Sequence, residues 1–238
     1  MKSFKQVLLC TLIVMALSAT AHARYFKNGN SIEMDYWATD YNKSMSGVSE
    51  SSDPDFFPCM NVIYRVHSNF SIDARYHNST ADAVSPSSAG KEDKVYRYLV
   101  GLVYDFASTG QVELAYQEFK NRQSNWSGSY TSYKINGLRL SLLKHHRWAG
   151  TPWAFGAEAG VGISNDARVS PTGADEPGTG GDTRDFDVWF SYDLPEMPLK
   201  LRAGYRYLWI HTDAINEIGF SSAKHIIRGP HFGLTYIY

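Results

Sequence analysis

Apolar and polar residues alternate most regularly over residues 184–211. Phe186, Val188, Phe190, Tyr192 and Leu194 share one face of a first run, and Leu199, Leu201, Ala203, Tyr205, Tyr207 and Trp209 share one face of a second. Between them fall Asp185, Asp187, Trp189, Ser191 and Asp193, then Lys200, Arg202, Gly204 and Arg206. A period of two over this length predicts two β-strands, and the stretch from Pro195 to Pro198 predicts their turn. Matching apolar to apolar sets Leu194 opposite Leu199, Phe190 opposite Ala203 and Phe186 opposite Tyr207. The other face then pairs Asp193 with Lys200, Trp189 with Gly204 and Asp187 with Arg206. Each such pair contributes roughly 0.2–1 kcal/mol. A slip of one residue would put charges among the aromatics.

The same period recurs along the chain. It predicts strands over residues 31–41, 94–106, 111–120, 130–143, 152–164 and 225–238. Met60 to Tyr76 keep one parity throughout, which a tight turn at His67-Ser68-Asn69 divides into two strands, because a bilayer asks for only about 9–11 residues per strand. Within 130–143, Tyr133 and Ile135 have one parity and Leu138, Leu140 and Leu142 the other, so a bulge is expected near Asn136-Gly137. Long polar loops are expected at 42–58, 78–93, 121–129, 165–183 and 212–224, and tight turns at 67–69, 107–110 and 195–198, with 144–151 intermediate. Long and short connections alternate in phase. Aromatic residues also recur on the apolar faces near the strand ends, as in the girdles of a membrane barrel. The pattern predicts an all-β fold: a transmembrane antiparallel up-and-down β-barrel of about ten strands, with eight as the alternative count. Tight turns and both termini are expected in the periplasm.

Composition adds an address. Lys2 and Lys5, an apolar run over 7–16 and the small residues Ala21-His22-Ala23 read as a secretory signal peptide cleaved after Ala23. That divides the chain into a leader, 1–23, and one barrel domain, 24–238. The apolar run is too short for a membrane helix of about 20 residues. Cys10 follows Leu9 and not a small residue, so no lipid anchor is expected. The formal charge of −1 becomes more negative once Lys2 and Lys5 are removed, which argues against a nucleic-acid partner. Only Cys59 remains, so no internal disulfide is expected.

The terminal Phe232-Gly-Leu-Thr-Tyr-Ile-Tyr238 resembles the closing strand of Gram-negative outer-membrane barrels, which end in an aromatic preceded by alternate hydrophobics. The resemblance implies residence in the cell outer membrane, contact with its lipids, and recognition of Phe232 to Tyr238 by the barrel assembly machinery. A monomer is expected.

Candidate chemistry is sparse. Omptin-type proteases share a ten-stranded plan and use an Asp pair and an Asp–His pair at the outer rim. The candidates here are His211 and Asp213, with Asp35 and Asp40 on the first strand, but His211 shares the parity of Trp209 and Tyr207, the expected lipid face. Ser221 with His225, and Ser68 with His67, have spacings that suggest a lipid-modifying enzyme but no glycine-framed nucleophile. No cofactor or metal is expected. His145-His146 is isolated, and Asp166, Asp175, Glu176 and Asp182 lack an EF-hand spacing. The inward parity collects Glu33, Asp35, Arg97, Asp187, Asp193, Lys200, Arg202 and Arg206, with Trp37, Trp189, Leu99, Val103, Leu208 and Ile210. A non-enzymatic barrel with a narrow or plugged, salt-bridged lumen is the leading reading, in a structural or small-solute channel role. The alternatives are an outer-membrane hydrolase with a rim site, and an adhesin or receptor acting through its outer loops.

Overall fold

The computed structural model describes residues 30–45, 48–51, 55–82, 92–106, 110–124, 130–170, 179–214 and 222–238. The expected signal peptide lies outside them, as do Ser221 and the tips of most connections. Among the described residues every regular element is a strand: β1 (Ser31–Met45), β2 (Val48–Ser51), β3 (Asp55–His67), β4 (Phe70–Asp82), β5 (Glu92–Asp105), β6 (Gly110–Ser124), β7 (Tyr130–Arg147), β8 (Trp153–Ser170), β9 (Thr179–Asp193), β10 (Leu199–Thr212) and β11 (Ala223–Ile237). From β3 onward each strand pairs antiparallel with the next along the chain, β1 pairs with β3, and β11 pairs with β1 to close the sheet. The result is a closed ten-stranded up-and-down barrel. The short β2 continues the ladder along β1, above the part of β1 that β3 occupies.

The β9–β10 hairpin has the register set by its two faces. Asp193 is opposite Lys200, Trp189 opposite Gly204, Asp187 opposite Arg206 and Phe190 opposite Ala203. Leu194 donates its amide to the Leu199 carbonyl at 3.0 Å, and Glu196 takes a φ of 63° in the turn. The turn between β3 and β4 also falls at Ser68-Asn69.

Three expectations are corrected. The strands run well past the expected ends: β1 reaches Met45, β8 reaches Ser170 and β9 begins at Thr179. Their polar upper ends continue the ladder above the apolar belt, where alternation alone no longer marks a strand. The expected loop 42–58 is largely β1, β2 and β3. Finally, β7 has no bulge at Asn136-Gly137. Its odd residues face inward throughout, and the irregularity sits in β8, where Leu138 pairs Ser164 but Arg139 pairs Gly162. Tyr133 and Ile135 therefore point into the lumen, 3% and 1% exposed.

The outward face is apolar all round the barrel. Tyr36, Tyr64, Ile72, Val100, Leu114, Leu140, Ile163, Phe190, Leu201 and Phe232 are all exposed, one from each long strand in turn. A soluble monomer rarely exposes a contiguous apolar patch above a few hundred Å², whereas a bilayer requires such a belt. Aromatic pairs mark its edges, Tyr76 with Tyr98 at 5.0 Å and Trp153 with Tyr192 at 4.8 Å between ring centroids.

Candidate functional site

Two layers of side chains fill the lumen. The first lies at mid-height and is ionic. Arg139 of β7 is 1% exposed and donates to three strands. Its Nε and Nη2 clasp Asp185 side-on at 2.8 and 2.5 Å, Nη2 also reaches Glu158 at 2.7 Å, and Nη1 reaches Glu113 at 2.7 Å. Arg75 of β4 bridges Asp73 at 2.6 Å, Glu158 at 2.9 Å and Glu113 at 3.2 Å. Arg97 adds a 2.6 Å contact to Asp185. On the opposite wall Arg206 spans Asp35 at 2.9 Å and Asp187 at 3.0 Å. Arg202 spans Glu33 at 2.6 Å and Asp187 at 2.9 Å, and its guanidinium lies over the Trp189 ring at 3.9 Å. His231, fully buried, meets Asp187 at 2.8 Å.

Alternation explains the convergence. Each of these residues is on the inward parity of its strand, and a closed barrel leaves no other destination for that face. A buried charge is costly unless paired, so the lumen's arginines and carboxylates interlock. Glycine provides the room. A Cβ on Gly156 would collide with the Trp189 ring, and one on Gly160 with the Arg139 guanidinium.

The second layer, nearer the loop end, is apolar and aromatic. Trp37, Tyr41, Phe57, Val95, Phe119, Ile135, Leu208, Ile210 and Ile227 form one buried cluster across the bore. His225 sits among them with its ring 6.1 Å from Tyr41, 5.7 Å from Phe119 and 5.7 Å from Tyr133, and shares a 2.9 Å hydrogen bond with the Tyr41 hydroxyl. A cavity of about 130 Å³ runs through the ionic layer toward the tight turns, bordered by Asp35, Arg75, Glu158, His145, Ser191 and Lys200. The Ser191 hydroxyl, His77 Nδ1 and one oxygen each of Asp35, Asp73 and Glu113 have no protein hydrogen-bond partner.

All the expected lumen charges point inward. Glu33, Asp35, Asp187, Arg202 and Arg206 form one connected cluster. Arg97 belongs to the other, on Asp185. Asp193 lies at the tight-turn rim and pairs with Arg147 at 2.5 Å, while Lys200, its cross-strand neighbour, lines the cavity. Arg139, whose partners stand on three strands, was absent from the expected set, as was Asp73. Their parity was the available signal. His211 and Asp213 come within 3.5 Å of each other at the loop end, but the His211 ring stacks on Trp209, at 5.8 Å, on the outer wall. Asp35 does not join them. Asp35 pairs with Gly233 and His211 with Lys224 on β11, a separation of about 30 Å at roughly 3.3 Å per residue. Among the described residues no group of His, Cys, Asp and Glu has a metal-binding arrangement.

A closed barrel with an encircling apolar belt and a packed polar lumen has the architecture of a membrane-spanning β-barrel. No protein-family model matches the chain, and no curated protein matches it in sequence. Among solved structures it is similar to the outer membrane protease OmpT of Escherichia coli, with a TM-score of 0.58 and 9% identity over 90% of this chain and 98% of that one. At that identity the likeness concerns the fold alone. Neisserial surface protein A (TM-score 0.43, 15% identity, 89% of this chain and 98% of that one) and the translocator domain of the autotransporter NalP from Neisseria meningitidis (0.47, 11%, 100% and 97%) also match, too distantly to carry an argument.

Proposed function

We propose that this chain is a non-enzymatic outer-membrane barrel whose lumen is sealed, serving as a structural element of the membrane and not as a general pore. One observation carries the reading: an apolar aromatic layer lies directly above a salt-bridged layer, and both are built from strand side chains. Ions would have to cross a dry apolar constriction as well as a charge lattice. Side chains can fill an eight-stranded barrel, and here large aromatics and arginines do the same for a slightly wider one. Planar-bilayer recording tests this. The wild type should be silent, and replacing Trp37, Phe57 and Phe119 together with Ala should produce conductance. A large steady conductance from the wild type would defeat the reading.

The His211–Asp213 pair at 3.5 Å favours a second reading, a hydrolase with a site on the outer rim, on a fold shared with a protease. The outward ring of His211 weighs against it. Peptide cleavage by folded wild type that disappears in His211→Ala and Asp213→Asn would establish it. Without wild-type cleavage, or with cleavage unchanged in both variants, it falls.

A further inference from the structure

On the wall formed by β4 to β9 the lumen is short of one positive charge. Among the described residues, Asp73, Glu113, Glu158 and Asp185 form their ion pairs with Arg75, Arg97 and Arg139 alone, four carboxylates against three guanidinium groups. A buried charge without a partner is costly. The shortfall is localised. Asp73 and Glu113 are 2% and 3% exposed, and Arg75 Nη2 touches both, at 2.6 and 3.2 Å. The two carboxyls lean together over Gly101, which stands opposite Asp73 and whose Cβ, if present, would lie 3.0 Å from Glu113 Oε1. Asp73 Oδ1 and Glu113 Oε1 have no hydrogen-bond partner, and neither has Oδ1 of Asn61, which stands opposite Arg75 on β3. All three side chains border the lumen cavity. On the opposite wall the His231 ring stands between Asp35 and Asp187, at 3.8 and 2.8 Å, and occupies the corresponding place.

Beside these oxygens the cavity is apolar. Ile63 stands opposite Asp73, Val103 opposite Glu113 and Leu143 opposite Glu158, and all three line it. Ser31 and Ile237, at the outer ends of β1 and β11, line it as well, so it reaches the tight-turn end of the barrel. We propose that this cavity binds a small primary alkylammonium ion from the periplasm, its head on Asp73 Oδ1, Glu113 Oε1 and Asn61 Oδ1 and its short chain against Val103, Leu143 and Ile63. A primary ammonium ion brings one positive charge and a donor for each of these acceptors, and its bonds to carboxylate are the stronger, charge-assisted kind. An anion would worsen the imbalance, and a neutral molecule would leave it. Entry from the periplasm rests on the outer-membrane orientation; the binding itself does not, nor does it depend on the sealed-lumen reading.

Isothermal titration calorimetry of the full mature barrel, folded in neutral detergent micelles, tests the site. The probes are n-butylammonium chloride and n-butanol, each corrected for titration into empty micelles. The wild type should bind butylammonium, and butanol about tenfold more weakly or worse. Asp73→Asn balances the cluster and should weaken butylammonium by about tenfold or more. Asp166→Asn, in an exposed pair with Arg168, should leave binding unchanged. Absence of binding by the wild type overturns the site and leaves a proton as the missing charge. Equal binding of the two probes overturns it too, as does an unchanged Asp73→Asn or an equal loss in Asp166→Asn. A shifted gel band in unheated samples confirms that each variant is folded. If Asp73→Asn lacks it, Asn61→Leu takes its place and must weaken butylammonium. A wild type that never shows the band overturns the barrel reading itself, and the site with it.

Discussion

Arg139 shows how one residue can hold several strands together. It is 1% exposed and joins Glu113, Glu158 and Asp185 from β6, β8 and β9. Removing it leaves those carboxylates buried beside Arg75 and Arg97 alone. Arg139→Ala should therefore lose about 3–5 kcal/mol, the usual cost of breaking a buried ion pair. Arg228→Ala, which breaks an exposed pair, should lose less than about 1 kcal/mol. Urea titration of the folded protein in micelles measures both. Leu138 and Leu140 on either side already place Arg139 inward by parity. Its partners were not legible, because which carboxylates of β6, β8 and β9 lie at its height depends on the register of three pairings and on the irregularity in β8.

At the scale of the element, the β9–β10 hairpin is the most legible part of the chain. Its apolar faces, charge pairs and Pro-bounded turn agree on one register, and the structure has that register. Cysteines at Asp193 and Lys200, next to the hydrogen-bonded Leu194–Leu199 pair, should oxidise to a disulfide and shift the unreduced protein on a gel. Cysteines at Asp193 and Leu199 should not, since successive side chains point to opposite faces. β7 was less legible. Tyr133 and Ile135 looked like lipid-facing residues out of phase with the leucines, yet they are in phase with Arg139 and fill the lumen. An apolar side chain satisfies either environment, and near the loop end the lumen is itself apolar.

At the scale of the molecule, the inside and outside of the barrel have opposite requirements. The outer belt exposes residues such as Met34 at 63% and Phe232 at 61%, while the lumen buries Arg139, His145, His225 and His231 almost completely. Such a molecule needs a bilayer. Extraction from membranes should require detergent, and the unheated folded form should migrate apart from the heated one on a gel. A monodisperse folded protein in plain buffer would contradict the fold. By itself the sequence determined the membrane-spanning part of the strands, the faces of most of them and the pairing of β9 with β10; it did not determine the strand ends or the inward face of Tyr133 and Ile135. What it determined follows from a period of two, which is a local property of the pleat. Only the tertiary structure decided which inward groups meet. Tyr41 and His225 share a hydrogen bond across 184 positions of chain, and Arg206 reaches Asp35 from 171 positions away. Closure of β11 on β1 brings both pairs together, and the depth at which the lumen changes from ionic to apolar follows from what stands across the bore.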